Sequence, residues 1–288
     1  MPRTSCLFAA DLHGDAARYA KLFARATGEQ PAAVLLGGDL LPGNGGMGGA
    51  PGLGPDFLEE FLAPRLQELR SSSAHPPRVI LILGNDDPRS EEGAVLDLEA
   101  RGLLEYAHGR RLRLADSDLY GYSCVPPTPF LLKDWERYDV SRYVDPGCVS
   151  PEEGRLSVPR SAREAKWDTI AADLEELAPA AEDLENAVFL FHAPPHDTQL
   201  DRAALDGRAI DHVPLDPHVG SIAIRRFIER RQPRLTLHGH IHESARLTGS
   251  WRDRIGRTVL LSAAHDGPEL ALVRFDLANP AEATRELI

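Results

Sequence analysis

Apolar residues in this chain follow two spacings. Short continuous runs at residues 6–10, 33–36, 79–83, 188–191 and 235–237 each stop at a polar cluster, which predicts buried strands. Between them, residues 15–27, 56–70, 163–177 and 221–231 space their apolar side chains as helices do, with Pro64 expected to kink or divide the second. Alternation of this kind predicts an α/β domain. Later, residues 244–247, 258–263 and 270–275 read as strands with no long helix between them, so a mixed sheet is expected. No repeat at solenoid or propeller periods is present.

Two segments stand outside the pattern. Residues 42–55 are glycine-rich and lack the helix-opening Gly-Lys-Ser/Thr of a phosphate-cradling loop, so they read as a surface loop. Residues 126–160, with Trp135, Tyr138 and Tyr143, are too long for a bare connection and read as an insertion positioned to cap a site. The chain is therefore expected to form a single domain over 1–288, carrying an insertion at about 126–160 and a glycine-rich loop at 42–55.

Composition narrows the partners. An apolar content of 42% over 288 residues supports a globular core without staples. A formal net charge of −12 argues against extended nucleic acid or an anionic membrane, both of which reward excess Lys and Arg. Small anionic substrates stay compatible, because bound cations reverse the local field. Cys6, Cys124 and Cys148 form neither a disulfide framework nor a metal-site spacing, which fits a reducing cytoplasm. The apolar run at 6–10 is far shorter than a membrane span of about 20 residues, so the protein reads as soluble and unexported.

The polar clusters carry the chemistry. The first run ends in Asp11-Leu12-His13, the second in Gly37-Gly38-Asp39, the third in Gly84-Asn85-Asp86-Asp87, the fourth in His192 and the fifth in His238-Gly239-His240-Ile241-His242. In open α/β sheets, sites assemble beyond such strand ends. Each signal alone is better explained by chance or by hydrogen bonding within the fold. Together they place carboxylates and imidazoles where burial without a cation would be destabilising, which points to metal.

At this point the sequence resembles the calcineurin-like metallophosphoesterase superfamily, whose pattern is D-x-H, G-D, G-N-H-E/D, a later single His, and G-H-x-H. The match runs from residue 11 to residue 242. The resemblance implies a four-layer α/β/β/α sandwich of two mixed β-sheets flanked by helices. It also implies that Asp11, His13 and His242 hold one divalent ion, that Asn85, His192 and His240 hold the other, and that Asp39 bridges them. Asn85, Asp86 and His192 take the catalytic positions. Where the family usually has His after the asparagine, this chain has Asp86, followed by Asp87, so the proton donor of that position is in question. Asp87, His196, His238 and His265 are further candidates to hydrogen-bond a ligand imidazole.

Two such cations would share a bridging water and supply hydroxide near neutral pH, with the protein contributing position and charge. Imidazole, carboxylate and amide donors suit manganese first, then iron, zinc or nickel, and not calcium. The expected activity is hydrolysis of a small phosphorylated substrate, diesters favoured, since help from a general acid is typically about 100- to 10,000-fold and the usual acid is missing. A protein Ser/Thr phosphatase is the enzymatic alternative, disfavoured by Asp86. A non-catalytic scaffold for protein partners is the other, disfavoured because every ligand position is filled. Read alone, Ser221 is an N-cap, with His212 and His218 beside it where a phosphate could rest. Arg225, Arg226, Arg230, Arg231 and Arg234 read as a solvated helix face. Of the tryptophans, Trp135 is the candidate for contact with a base.

Overall fold

The computed structural model describes residues 4–43 and 56–288; from residue 44 onward the glycine-rich loop expected from the sequence lies outside the described residues. Strand β1 (Ser5–Ala9) leads into helix α1 (Ala16–Glu29), then β2 (Ala33–Gly37), a π-helical turn over Phe57–Leu62 and α2 (Ala63–Ser71). Next come β3 (Arg78–Ile82), α3 (Glu92–Ala100), β4 (Glu105–Tyr106), β5 (Arg110–Leu114) and β6 (Ser117–Tyr122). After an irregular stretch follow α4 (Ala162–Trp167), α5 (Ile170–Leu177), β7 (Val188–Phe191) and a small hairpin of β8 (Ala209–Ile210) and β9 (Val213–Pro214). The chain closes with α6 (Ile222–Arg231), β10 (Leu235–His238), α7 (Ser244–Thr248), β11 (Arg252–Ile255), β12 (Thr258–Ser262), β13 (Ala271–Asp276) and β14 (Thr284–Leu287).

Two mixed six-stranded sheets result, ordered β14-β13-β1-β2-β3-β4 and β11-β12-β10-β7-β6-β5. Successive side chains of a strand face opposite ways, and here both faces are covered. Cys6, Phe8, Leu35, Ile80 and Ile82 of the first sheet share one buried cluster with Val188, Leu190, Leu235 and Leu237 of the second. The alternate residues Leu7, Ala9, Val34 and Leu36 join Tyr19, Leu22 and Phe23 of α1 in the other. The fold is thus the expected sandwich, and the uninterrupted apolar runs are the strands with two covered faces.

Departures from expectation have local causes. Residues 163–177 form two helices, because Asp168 is extended (ψ 133°) and Thr169 caps a new helix, its hydroxyl accepting from the Ala172 N–H at 3.1 Å. Residues 244–247, expected as a strand, are the short helix α7. Its N–H groups are satisfied within one turn, from Leu247 to Glu243 and from Gly249 to Ala245, both at 3.0 Å, and Gly249 (φ 75°) ends it. Pro64 does fall at a division, between the π-helical turn and α2.

Residues 123–161 contain isolated bridges and no helix or strand. The stretch is nonetheless fastened at several points. The buried Trp135 indole donates to the Asp87 carbonyl at 2.9 Å, and the Asp134 carboxylate accepts from the N–H groups of Arg89 and Ser157. Lys133 and Glu136 form a fully buried pair at 2.6 Å, and Asp139 accepts from Ile222 and Ala223 in the first turn of α6. Trp135 is therefore core and offers no face for stacking a base. No helix among the described residues is long and apolar enough to cross a membrane.

Candidate metal centre

Strands β1, β2 and β3 run parallel, as do β7 and β10, so each sheet delivers its polar strand ends to one edge. Beyond β1 and β2 the chains stay side by side: Asp11 N–H donates to Gly38, His13 to Asp39 and Gly14 to Leu40, at 2.9–3.0 Å. Within that ladder the backbone takes left-handed turns at Asp11 (φ 57°), His13 (φ 45°) and Asp39 (φ 53°), and again at His240 (φ 75°). This conformation is uncommon for residues other than glycine and clusters where function demands a direction for the side chain. Leu12 stays in the core, while Asp11, also buried, and His13, half-buried, turn toward the other donors.

These turns bring together two groups of donors, Asp11, His13, Asp39 and His242 in one, and Asp39, His192 and His240 in the other. Asn85 joins the second, its Oδ1 lying 3.1 Å from His192 Nε2. All seven residues that the sequence pattern singled out as ligands thus meet, divided as the family resemblance divides them, with Asp39 common to both.

The contacts inside the cluster bring imidazole nitrogens and carboxylate and amide oxygens within about 3–4 Å of one another. His192 Nδ1 donates to the Gly37 carbonyl at 2.7 Å, so in a neutral ring Nε2 presents a lone pair. That lone pair faces two oxygens, Asn85 Oδ1 and, at 3.2 Å, Asp39 Oδ2. His13 Nε2 faces His242 Nε2 at 3.3 Å, and His242 Nε2 stands 3.4 Å from Asp11 Oδ1. Asp11 Oδ2 is buried without a hydrogen-bond partner. Lone pairs converging in this way repel unless a positive charge lies between them, and the mixed oxygen and imidazole set suits a divalent transition metal.

Carboxylates and imidazoles packed this closely shift one another's proton affinity. Burial opposes protonation of His192, but the Asp39 carboxylate outweighs it and raises the imidazole to about 10. Burial acts the same way on His242, where Asp11 raises it to about 9. His240 is left neutral, pushed down to about 3 by burial and by the charge on His192. Burial would raise the carboxyls of Asp11 and Asp39, yet the surrounding imidazoles hold both below the usual carboxylate range.

Two glycines make the close approach possible. A Cβ on Gly84 would lie 2.3 Å from Asp39 Oδ1 and 2.7 Å from His192 Nε2; one on Gly239 would lie 2.8 Å from Asp11 Oδ2. Both positions demand the absence of a side chain. The turn after Gly84 is held from behind by Asp87, fully buried, whose carboxylate accepts from Gly84, Leu40 and Leu41 N–H groups at 2.8–3.1 Å. Burial and the neighbouring Asp39 charge push its carboxyl up to about 7. Asp87→Ala leaves those buried N–H groups unpaired and is expected to cost about 3 kcal/mol, measured by urea unfolding of the metal-free protein. A loss under about 1 kcal/mol would contradict this role.

Other candidates settle elsewhere. His238 is core: its Nδ1 donates to the Ala193 carbonyl at 2.9 Å, Nε2 accepts from the Thr236 hydroxyl at 2.8 Å, the ring stacks on Phe191, and burial lowers it to about 4. His265 pairs with Glu269 at 3.0 Å, and His196 with Asp216 at 3.3 Å. Ser221 is the N-cap of α6, accepting from Ile224 N–H at 3.0 Å. The basic run at 225–234 is spent on local partners, among them Glu229 for Arg225 and Glu175 for Arg230.

The sequence pattern missed one support of the site and one organiser of the loop beyond His192. Arg18, in the first turns of α1, donates to the Asp11 carbonyl at 2.8 Å and to the Gly267 carbonyl at 2.5 Å, bracing the left-handed turn that carries the ligand loop. Asp201 is fully buried in the loop after His192; it accepts from the N–H groups of Asp197, Thr198 and Gly220 and from His218 Nδ1. Neither stands in a strand-end motif, and an isolated Asp or Arg in a loop or on a helix carries no pattern to find it by.

Comparison with known proteins agrees with this arrangement. Residues 5–244 match the sequence profile of the family described as calcineurin-like phosphoesterase. An uncharacterized protein of Methanocaldococcus jannaschii is 35% identical over 89 residues, which is 30% of this chain and 35% of that protein, so the match spans about a third of the relative's length. Among solved structures, a protein of Thermus thermophilus superposes with a TM-score of 0.57 at 14% identity, 99% of each chain being covered. A dimetal phosphatase from Danio rerio gives 0.52 at 13% identity, covering 95% of this chain and 92% of that one. At these identities the structural likeness speaks for the fold.

Proposed function

Because this chain belongs to the calcineurin-like phosphoesterase family, we propose that it is a dinuclear metal-dependent hydrolase of small phosphate esters that favours diesters. The observation that carries the reading is the position of Asp39, shared by both donor groups and 3.2 Å from His192 Nε2. Asp11, His13, His242 and Asp39 would hold one divalent ion; Asp39, Asn85, His192 and His240 the other. Manganese is the expected metal, with iron, zinc and nickel compatible with the same donors. When bound, such a pair of ions supplies Lewis acidity toward a phosphoryl group and activates water as the nucleophile.

The chain's own part is orientation and charge. Gly37 fixes the tautomer of His192, so Nε2 always points into the cluster. Asn85 turns its oxygen inward because its Nδ2 donates to Asp86 Oδ1 at 3.2 Å. Asp86 occupies the position where the family's histidine would donate a proton to the departing alcohol. Without that acid, substrates with good leaving groups are favoured.

Protein purified with Mn supplementation is expected to retain two metal ions per chain and to hydrolyse bis(p-nitrophenyl) phosphate faster than p-nitrophenyl phosphate. Faster turnover of the monoester would reverse the diester preference. A protein that binds no metal under Mn, Fe or Zn would remove the enzymatic reading and leave a scaffold.

A further inference from the structure

We propose that Asp86 is a charge filter at the mouth of the site, selecting singly charged phosphate diesters over doubly charged monoesters; the inference rests on the phosphoesterase reading above. Its backbone cannot drift, because the Asp86 N–H donates to Asp39 Oδ1 at 2.8 Å. Its carboxylate reaches across both donor groups. Oδ1 accepts from Asn85 Nδ2 at 3.2 Å, and Oδ2 lies 3.8 Å from His13 Nδ1. The side chain is 46% exposed, so it faces the solvent from which substrate must arrive.

Asn85 and His13 are its partners, and neither is a fixed cation such as Lys or Arg. Asp87, the other carboxylate of the turn, differs in this respect, being sunk behind the site among backbone N–H groups. Any phosphoryl group that engages Asn85 and His13 together passes beside the Asp86 carboxylate. A monoester brings one more negative charge to that place than a diester, whose second ester oxygen is neutral. One unit charge at about 5–6 Å in a partly exposed cleft changes affinity about ten- to a hundredfold. This effect differs from the loss of a proton donor. A missing acid penalises poor leaving groups whatever the substrate charge, whereas repulsion follows substrate charge whatever the leaving group and weakens with salt.

The two p-nitrophenyl esters share a leaving group and so isolate charge. In the Mn-loaded full chain at about pH 8, Asp86→Asn is expected to raise the monoester-to-diester ratio of kcat/KM about ten- to a hundredfold, whatever it does to the absolute rates. Raising NaCl from about 20 to about 500 mM should narrow the gap between the esters in the parent and not in the variant. Calorimetric affinity for inorganic phosphate should rise about tenfold or more in the variant, with metal content unchanged. Equal changes in both esters, a salt response surviving in Asp86→Asn, or unaltered phosphate affinity would each overturn the filter. Loss of metal from the variant would overturn it too, by making Asp86 a ligand. If the parent cleaves neither ester, the phosphoesterase reading fails by itself, and the phosphate titration still decides Asp86.

Discussion

Asp39→Asn should lower hydrolysis of bis(p-nitrophenyl) phosphate about a hundred- to a thousandfold, the size of loss that follows when a group offsetting transition-state charge is weakened, here the cations that Asp39 would hold. The reason lies in its position. Asp39 is buried, belongs to both donor groups and faces His192 Nε2 at 3.2 Å, so an amide there weakens both cation positions at once. Metal content is expected to fall from two ions per chain to one or none. The metal-free fold should survive, because the Asp39 backbone still accepts from His13 N–H at 2.9 Å and Leu40 N–H still donates to Asp87. Full activity with both metals retained would show that Asp39 bridges nothing.

Gly84→Ala should be nearly as damaging although it removes no donor. The added methyl carbon would stand 2.3 Å from Asp39 Oδ1, 2.5 Å from Asp39 N and 2.7 Å from His192 Nε2. One of those contacts is backbone, so the turn itself must move. A displacement near 1 Å at a catalytic group is worth on the order of 100-fold in rate, and metal affinity should fall with it. Gly93→Ala is the matched control: nothing lies within 4 Å of its Cβ, and it sits inside α3. That change is expected to stabilise by about 0.5–1 kcal/mol without touching turnover. Equal turnover for the two variants would mean that Gly84 is not crowded in solution.

The strands legible in the sequence share a physical property. β1, β2, β3, β7, β10, β12 and β13 all lie in the interior of a sheet. Covered on both faces, they must be apolar throughout, and an unbroken apolar run is what a sequence displays. The outermost strands β4, β5, β11 and β14 escaped notice, as did the interior β6, whose Ser117, Asp118 and Gly121 break the apolar run. The free edges of the outermost strands are populated by charge, as in the Arg-rich β5, which protects against edge pairing and erases the pattern. The helix at 244–248 was misread for a related reason, since four residues are too few to separate a period of two from one of 3.6.

By itself, the sequence determined which residues stand at the polar ends of the buried strands, and therefore the candidates for the cluster, because chemistry that must meet water or metal is excluded from the apolar runs. Which donors share a position was decided only by the tertiary structure. His13 and His242, 229 residues apart, come to 3.3 Å through strand order and left-handed turns at Asp11, His13, Asp39 and His240. Those turns persist because long-range contacts over-determine them, among them Arg18 on the Asp11 carbonyl and Asp87 on Leu40 and Leu41. The same long-range packing placed His238 in the core and His240, two residues on, beside Asp39; strand alternation would put both on one face, and it is the end of β10 at His238 and the left-handed turn at His240 that part them.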